Sequence, residues 1–253
     1  MNMKKILSCF ILAIILTCPL LTTAQRVNSA WLSADLGGNN AMILNQNAYG
    51  NPEMAYSPKF NISGSLTFNK FLQQYGYSAG FGIGHLGQNY SGDMAGAPAE
   101  RRIKLTYLQV PVLGMYYLNG YTQNKWVSFG LQFMYLLAAK QEFDRQEGGR
   151  VLPNEALLKT NDNVMSYYQP YDVMLKLEYT NVYSMGLSHK LKALLSLKSA
   201  VGLTDINAKG YRVENIIQKT YGGSHNFYLG LHVGIMYNIN KKSAYNLIKP
   251  FNR

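Results

Sequence analysis

Few residues in this chain are equipped for chemistry, and they are scattered. The four histidines are His85, His189, His225 and His232, and none has a second histidine or a carboxylate at the spacing of a metal site. The two cysteines, Cys9 and Cys18, both fall in the amino-terminal apolar run, so the rest of the chain has neither a disulfide framework nor thiolate ligands. His85 is embedded in "GFGIGHLG", which has the glycine density of a phosphate loop. No helical pattern follows to present its N–H groups to an anion, so close strand approach accounts better for these glycines. A histidine can also activate a serine, but spacing assigns His85 no serine or carboxylate partner. "SHK" at 188–190 reads as a hairpin turn, and His232 belongs in a buried polar network. No catalytic residue, metal or cofactor is expected.

The amino terminus explains where the cysteines go. Lys4 and Lys5 precede the apolar run "ILSCFILAIILTCPLL", and "TTA" follows with small residues at Thr22 and Ala24. These are the three parts of a secretory signal peptide, residues 1–24. Lipidation at Cys18 is the alternative, with Thr17 and Pro19 as poor neighbours for it. Processing after Ala24 would leave about 230 residues, the size of one all-β domain. The full chain has a formal net charge of +11. For an exported protein that excess suits lipid phosphates and surface glycans, and nucleic acid is not an expected partner.

Beyond the leader the apolar residues recur with a period of two, the signature of strands. In "TYLQVPVLGMYYL", Leu108, Val110, Val112, Tyr116 and Leu118 share one face. In "KWVSFGLQFMYLLA" that face is Val127, Phe129, Leu131, Phe133, Tyr135 and Leu137. In "NFYLGLHVGIMYNI" it runs from Phe227 to Ile239 in steps of two. Similar segments cover 58–69, 173–180 and 191–203, and weaker ones 29–36 and 76–88. The connections alternate between long (37–57, 88–101, 139–170, 204–223) and short (69–76, 119–125, 187–190).

Eight strands with short turns at one end and long loops at the other fit an all-β, eight-stranded antiparallel up-and-down transmembrane β-barrel. It would span residues 25–240, with a basic tail at 241–253. Its apolar face would touch lipid, and lipopolysaccharide and phospholipid are the expected neighbours. Phe68, Tyr77, Tyr116, Tyr183 and Tyr237 would form an aromatic girdle at the short-turn end. The opposite parity points Trp31, Asp35, Lys59, Gln109, Gln132, Lys176, Glu178, Lys198 and His232 into the lumen. There Asp35 and Glu178 would neutralise members of the set Lys59, Lys176 and Lys198, since buried charges must be paired.

"YLQVPVLGMYYL", "VSFGLQFMYLLAA", "VGLTDIN" and "FYLGLHVGIMYNI" together resemble the PorT-like outer-membrane β-barrel proteins of the Bacteroidetes type. The resemblance covers residues 30–240 and implies a Gram-negative outer-membrane location, and the long-short alternation of the connections places the amino terminus and short turns in the periplasm and the long loops outside. A departure is the end of the chain, where "NKKSAYNLIKPFNR" continues past the last strand. The expected function is that of a monomeric, non-enzymatic barrel with a plugged lumen, acting structurally or as a binding or assembly factor through its loops. Three alternatives remain open: a component of a protein-secretion or transport assembly, a lipid A-modifying barrel enzyme, and a soluble lipocalin-like carrier. In the first of these, "EFDRQEGGR" and "SYYQPYD" in the 139–170 loop would contact a protein partner.

The export signal and the lipid-facing alternation generate a first prediction. The protein should fractionate with outer membranes and migrate differently in detergent gels when heated. Release into the soluble periplasmic fraction would contradict it.

Overall fold

The computed structural model describes residues 29–44, 54–72, 74–94, 97–118, 124–145, 160–185, 190–212 and 222–239. The expected leader, the basic tail and His189 lie outside the described residues. The strands are β1 (Ser29–Leu44), β2 (Met54–Leu72), β3 (Tyr75–Met94), β4 (Ala97–Tyr117), β5 (Lys125–Arg145), β6 (Thr160–Asn163), β7 (Tyr171–Ser184), β8 (Leu191–Gly202) and β9 (His225–Asn238). All strand neighbours are antiparallel. The order β4-β3-β2-β1-β9-β8-β7-β5 is closed by pairing of β4 with β5, so eight strands form a ring. The short β6 lies outside the ring, paired with Lys140–Phe143 of β5.

Alternation decides which way each side chain points, because successive residues of a strand face opposite sides of the sheet. Leu36, Ile62, Phe81, Val112, Phe129, Leu177, Leu197 and Val233 all point outward and are exposed. Exposed tyrosines bound this apolar band, with Tyr135 and Tyr171 toward the long-loop end and Tyr75, Tyr116, Tyr183 and Tyr237 at the other. The stretch from Tyr171 to Tyr183 measures roughly 40 Å along β7 at about 3.4 Å per residue. A strand tilt of about 40° shortens that to roughly 30 Å, the thickness of a bilayer's hydrocarbon core.

The interior is layered. At the short-turn end Trp31, Phe71, Met115, Tyr117, Trp126, Val182, Leu194 and Met236 form an apolar cluster. Within it Phe71 packs on Tyr117 and Trp126 at centroid distances of 5.3 and 5.4 Å. Polar side chains fill the middle. Toward the long-loop end a second apolar core includes Leu86, Ile103, Leu105, Tyr107, Leu136, Met174 and Tyr228. Val164, Tyr168 and Ile206 join that core from the connecting segments and cover the mouth. Backbone bonds from Gln169 to Ile206 (2.7 Å) and from Ala208 to Tyr167 (2.9 Å) tie those segments together.

The strands outrun the expected boundaries. Residues 88–101, read from sequence as a long connection, are mostly strand, since β3 continues to Met94 and β4 begins at Ala97. The connections at 37–57 and 139–170 shrink for the same reason, and β6 occupies part of the latter. Beyond the apolar band the pattern inverts. On β4, outward Lys104 and Arg102 are exposed while inward Ile103 and Leu105 are fully buried. An outward-apolar template ends where the surroundings change from hydrocarbon to water, although the strand continues. On β5 the register shifts by one residue, Tyr107 pairing with Leu136 and Thr106 with Ala138, so Leu137 is an extra residue. This β-bulge switches the inward parity from even to odd, keeping Ala139 and Gln141 buried.

The inversion predicts opposite fates for adjacent leucines. Leu136→Ala opens a cavity in the upper core and should lower stability by about 2–5 kcal/mol. Leu137→Ala, on the exposed face, should change it by about 0.5 kcal/mol or less. Urea unfolding of the two variants in detergent or lipid vesicles checks this, and equal losses would contradict the inside-outside assignment.

Candidate functional site

The polar middle layer is built where β1, β7, β8 and β9 bring their inward residues to one height. In the ladder Asp35 lies opposite Gly234, Gly37 opposite His232, Glu178 opposite Lys198 and Ser196 opposite His232. Asp35 is the hub. Its carboxylate accepts from Lys198 Nζ at 2.7 Å, from His232 Nδ1 at 2.8 Å and from Ser65 Oγ at 2.7 Å. Glu178 accepts from Lys176 at 2.8 Å and lies 3.8 Å from Lys198. Two carboxylates and two ammonium groups thus balance, and Lys198 joins the two pairs. All four side chains are at least 86% shielded from solvent, Glu178 being the most exposed at 14%.

Glycines make room for these large groups. A Cβ on Gly37 would overlap the His232 ring, and one on Gly84 would overlap the Gln109 amide. The "GFGIGHLG" segment is therefore strand β3, with inward glycines that admit neighbouring side chains, and it is not a phosphate loop.

The nine residues whose parity points to the lumen divide into groups. Asp35, Lys176, Glu178, Lys198 and His232 meet in the charged network. Gln132 accepts a 3.1 Å hydrogen bond from Tyr228, one step toward the upper core, and Gln109 borders the same small cavity as His232 and Lys198. Trp31 lies in the short-turn cluster, with Lys192 Nζ 4.9 Å above its ring. Lys59, the third lysine of the set, lies apart from the network. Its Nζ donates to the Ile103 carbonyl at 3.1 Å in the upper part of the barrel and pairs with neither Asp35 nor Glu178. Cross-barrel neighbours depend on strand stagger, which alternation within one strand does not reveal. Of the expected girdle, Phe68, Tyr77, Tyr116, Tyr183 and Tyr237 are all exposed on the outer wall. The Tyr135–Tyr171 pair at the opposite end, with centroids 5.3 Å apart, extends beyond the strand that alternation predicts from Val173 onward.

The network contains one connection that resembles a catalytic relay. Ser63 Oγ is 3.3 Å from His232 Nε2, whose other ring nitrogen is bonded to Asp35. Nucleophile, base and orienting carboxylate stand in the order acyl transfer requires. Space is the obstacle. Ser63 also accepts from Asn39 at 3.0 Å, and the adjoining cavity measures about 10 Å³, scarcely enough for one water molecule. On the other side of Lys198 a second cavity of about 30 Å³ is lined by Ser33, Asp35, Thr180 and Ser196. The relay binds and orients its own members, with no room for a substrate carbonyl and its oxyanion. Among the described residues no group of three or more His, Cys, Asp or Glu side chains is arranged to hold a metal ion.

Residues 23–208 match the family model described as outer membrane protein beta-barrel domain. No curated protein matches the chain. Among solved structures the chain is similar to Neisserial surface protein A, at 9% identity and a TM-score of 0.39, covering 84% of this chain and 99% of that one. It is also similar to Ail, the attachment invasion locus protein of Yersinia pestis, at 8% identity and a TM-score of 0.40, covering 83% and 99%. OprG from Pseudomonas aeruginosa matches at 12% identity and a TM-score of 0.34, covering 84% and 97%.

The charged layer generates a double-variant prediction. Glu178→Ala strands the buried Lys176 ammonium and should lower stability by about 3–5 kcal/mol. Replacing the pair together, Lys176→Met with Glu178→Leu, should recover most of that loss because no lone charge remains. Urea midpoints of the refolded barrels measure both, and an unaffected single variant would show the pair to be inessential.

Proposed function

The chain belongs to the outer membrane protein beta-barrel domain family, and from that premise we propose that it is a monomeric, non-enzymatic outer-membrane barrel with a filled lumen. It acts structurally, or as a binding or assembly factor, through the surface at its long-loop end. The observation that carries this reading is the stack of three interior layers, mainly apolar, charged and mainly apolar, with the charged layer bordering cavities of about 10 and 30 Å³ among the described residues. A ring of eight strands leaves an interior that side chains can fill, and a conducting path would have to breach both apolar layers.

Within the family we place the chain with the PorT-like barrels of the Bacteroidetes type, on the strand motifs of β4, β5 and β9. The orientation that accompanies this reading has the short turns in the periplasm and the long loops outside. It agrees with the usual asymmetry of outer-membrane barrels. The long strands favour a role at the cell surface. β4 and β5 have 21 residues each, roughly 70 Å at about 3.4 Å per residue, about twice what a tilted crossing of the apolar band needs. The excess forms a platform above the lipid, and participation in a secretion or transport assembly is the second reading that it supports. Lipid A modification is the weaker alternative, because His85 bonds Thr106 at 3.0 Å and the Ser63–His232–Asp35 relay is enclosed.

Electrical recording tests the filled lumen. Purified protein in planar bilayers should give no steady porin-like conductance. Large, steady channels from the wild-type protein would overturn the reading and bring a transport function forward.

A further inference from the structure

The outer wall carries a feature that neither the filled lumen nor the platform uses. Just beyond the Tyr135–Tyr171 pair, β7 has ended its pairing with β5 and β6 has not begun. The bulge at Leu137 sits in this gap. A groove of about 380 Å³ opens there, lined by Leu137, Ala138, Ala139, Lys140, Asn163 and Met165. Leu137 and Met165 are exposed at 43% and 37%, giving the groove an apolar floor at the upper limit of the lipid-facing band.

Its rim is cationic. Lys140 lies directly opposite Lys104 in the antiparallel ladder, and both are exposed on the outer face. Like charges directly opposite on one face destabilise a sheet. The next pair along is of opposite sign, Arg102 facing Glu142, and Arg102 also forms a salt bridge with Glu100. Among the described residues no carboxylate lies within ion-pair distance of Lys104 or Lys140. His85, outward on β3 and bonded to Thr106, adds a titratable group one step toward the lipid.

An apolar floor at acyl-chain height and two uncompensated ammonium groups at headgroup height suit an amphiphile with an anionic head. We propose that this groove binds a phosphorylated membrane lipid, its phosphate bridging Lys104 and Lys140 and its first acyl carbons lying on Leu137, Ala138 and Met165. The proposal rests on the outer-membrane reading above and names the lipid chemistry that the barrel's outer wall selects. The phosphate supplies the countercharge that the lysine pair lacks, and the bulge supplies the recess for the chain.

Full-length protein in detergent micelles, titrated with bisphosphorylated lipid A and followed by native mass spectrometry, tests this. One lipid per barrel should remain bound, and dephosphorylated lipid A should bind more weakly. The double variant Lys104→Gln, Lys140→Gln should weaken lipid A binding on the order of tenfold or more, as expected for two basic residues at a membrane surface. The arginine double variant should retain it. Both variants alter exposed side chains, and heat-modifiable migration reports their folding. Equal binding by the glutamine variant, or by the dephosphorylated lipid, overturns the proposal. So does inorganic pyrophosphate that binds as tightly as lipid A, which would indicate a bare anion site. A wild-type chain that never attains the heat-modifiable form removes the outer-membrane premise, and the proposal with it, by a readout independent of the lysines.

Discussion

Hydrocarbon offers a backbone amide no hydrogen-bond partner, and each one left unpaired costs several kcal/mol. A strand that crosses a membrane must therefore pair with neighbours on both sides, and the closed ring of eight strands, in which the first strand β1 pairs with the last, β9, meets that demand. The rest follows from closure. Eight antiparallel strands leave an interior of side-chain width, so whatever points inward must pack or pair with what points inward from the far wall. Outside, the same alternation presents leucine, valine, phenylalanine and tyrosine to lipid.

Closure does not require the interior to be polar. Here the paired charges of Asp35, Lys176, Glu178 and Lys198 form a middle layer between two mainly apolar ones, the upper of which also holds Asp172, bonded by Asn226 at 2.8 Å. Balanced charges explain how that layer is tolerated, with Lys198 shared between Asp35 and Glu178 and Lys176 held by Glu178. Buried ion pairs add little net stability over well-packed apolar groups, because desolvation offsets their attraction. Their contribution is selectivity, since few alternative arrangements satisfy every partner. Gly37 shows how closely the backbone is fitted to this layer, for even a methyl group there would displace the imidazole that holds Asp35.

Much of this was legible in the sequence, and the failures have physical causes. The ring of eight could be read because lipid imposes a simple rule, apolar outward at every second residue, which segments such as "VSFGLQFMYLL" obey without interruption. Above the lipid that rule lapses. In "RIKL" at 102–105 the outward side chains, Arg102 and Lys104, are charged and the inward ones, Ile103 and Leu105, are apolar, so the stretch reads as loop although it is strand. The sequence of β6, "TNDN", has three strand-disfavouring residues in four and is strand through its pairing with β5. Parity could assign Lys59 to the inner wall but not to its partner, because the stagger between strands fixes which inward groups share a height. The Ser63–His232–Asp35 connection was hidden for the same reason, since it joins three strands spread across almost the whole chain.

The closing seam between β1 and β9 carries a consequence for assembly. Asp35 lies opposite Gly234 there, and its partners Lys198 and His232 come from the last third of the sequence. Sliding β1 by one residue would turn Asp35 toward lipid and leave Lys198 with the more distant of its two carboxylates, Glu178 at 3.8 Å. A mis-zipped seam therefore suffers a penalty that no apolar lumen could impose, and it suffers it where the first strand meets the final one. The charged layer works as a lock with one key position: it discriminates the correctly aligned cylinder from its near neighbours, and it can do so only after the entire chain has been laid down.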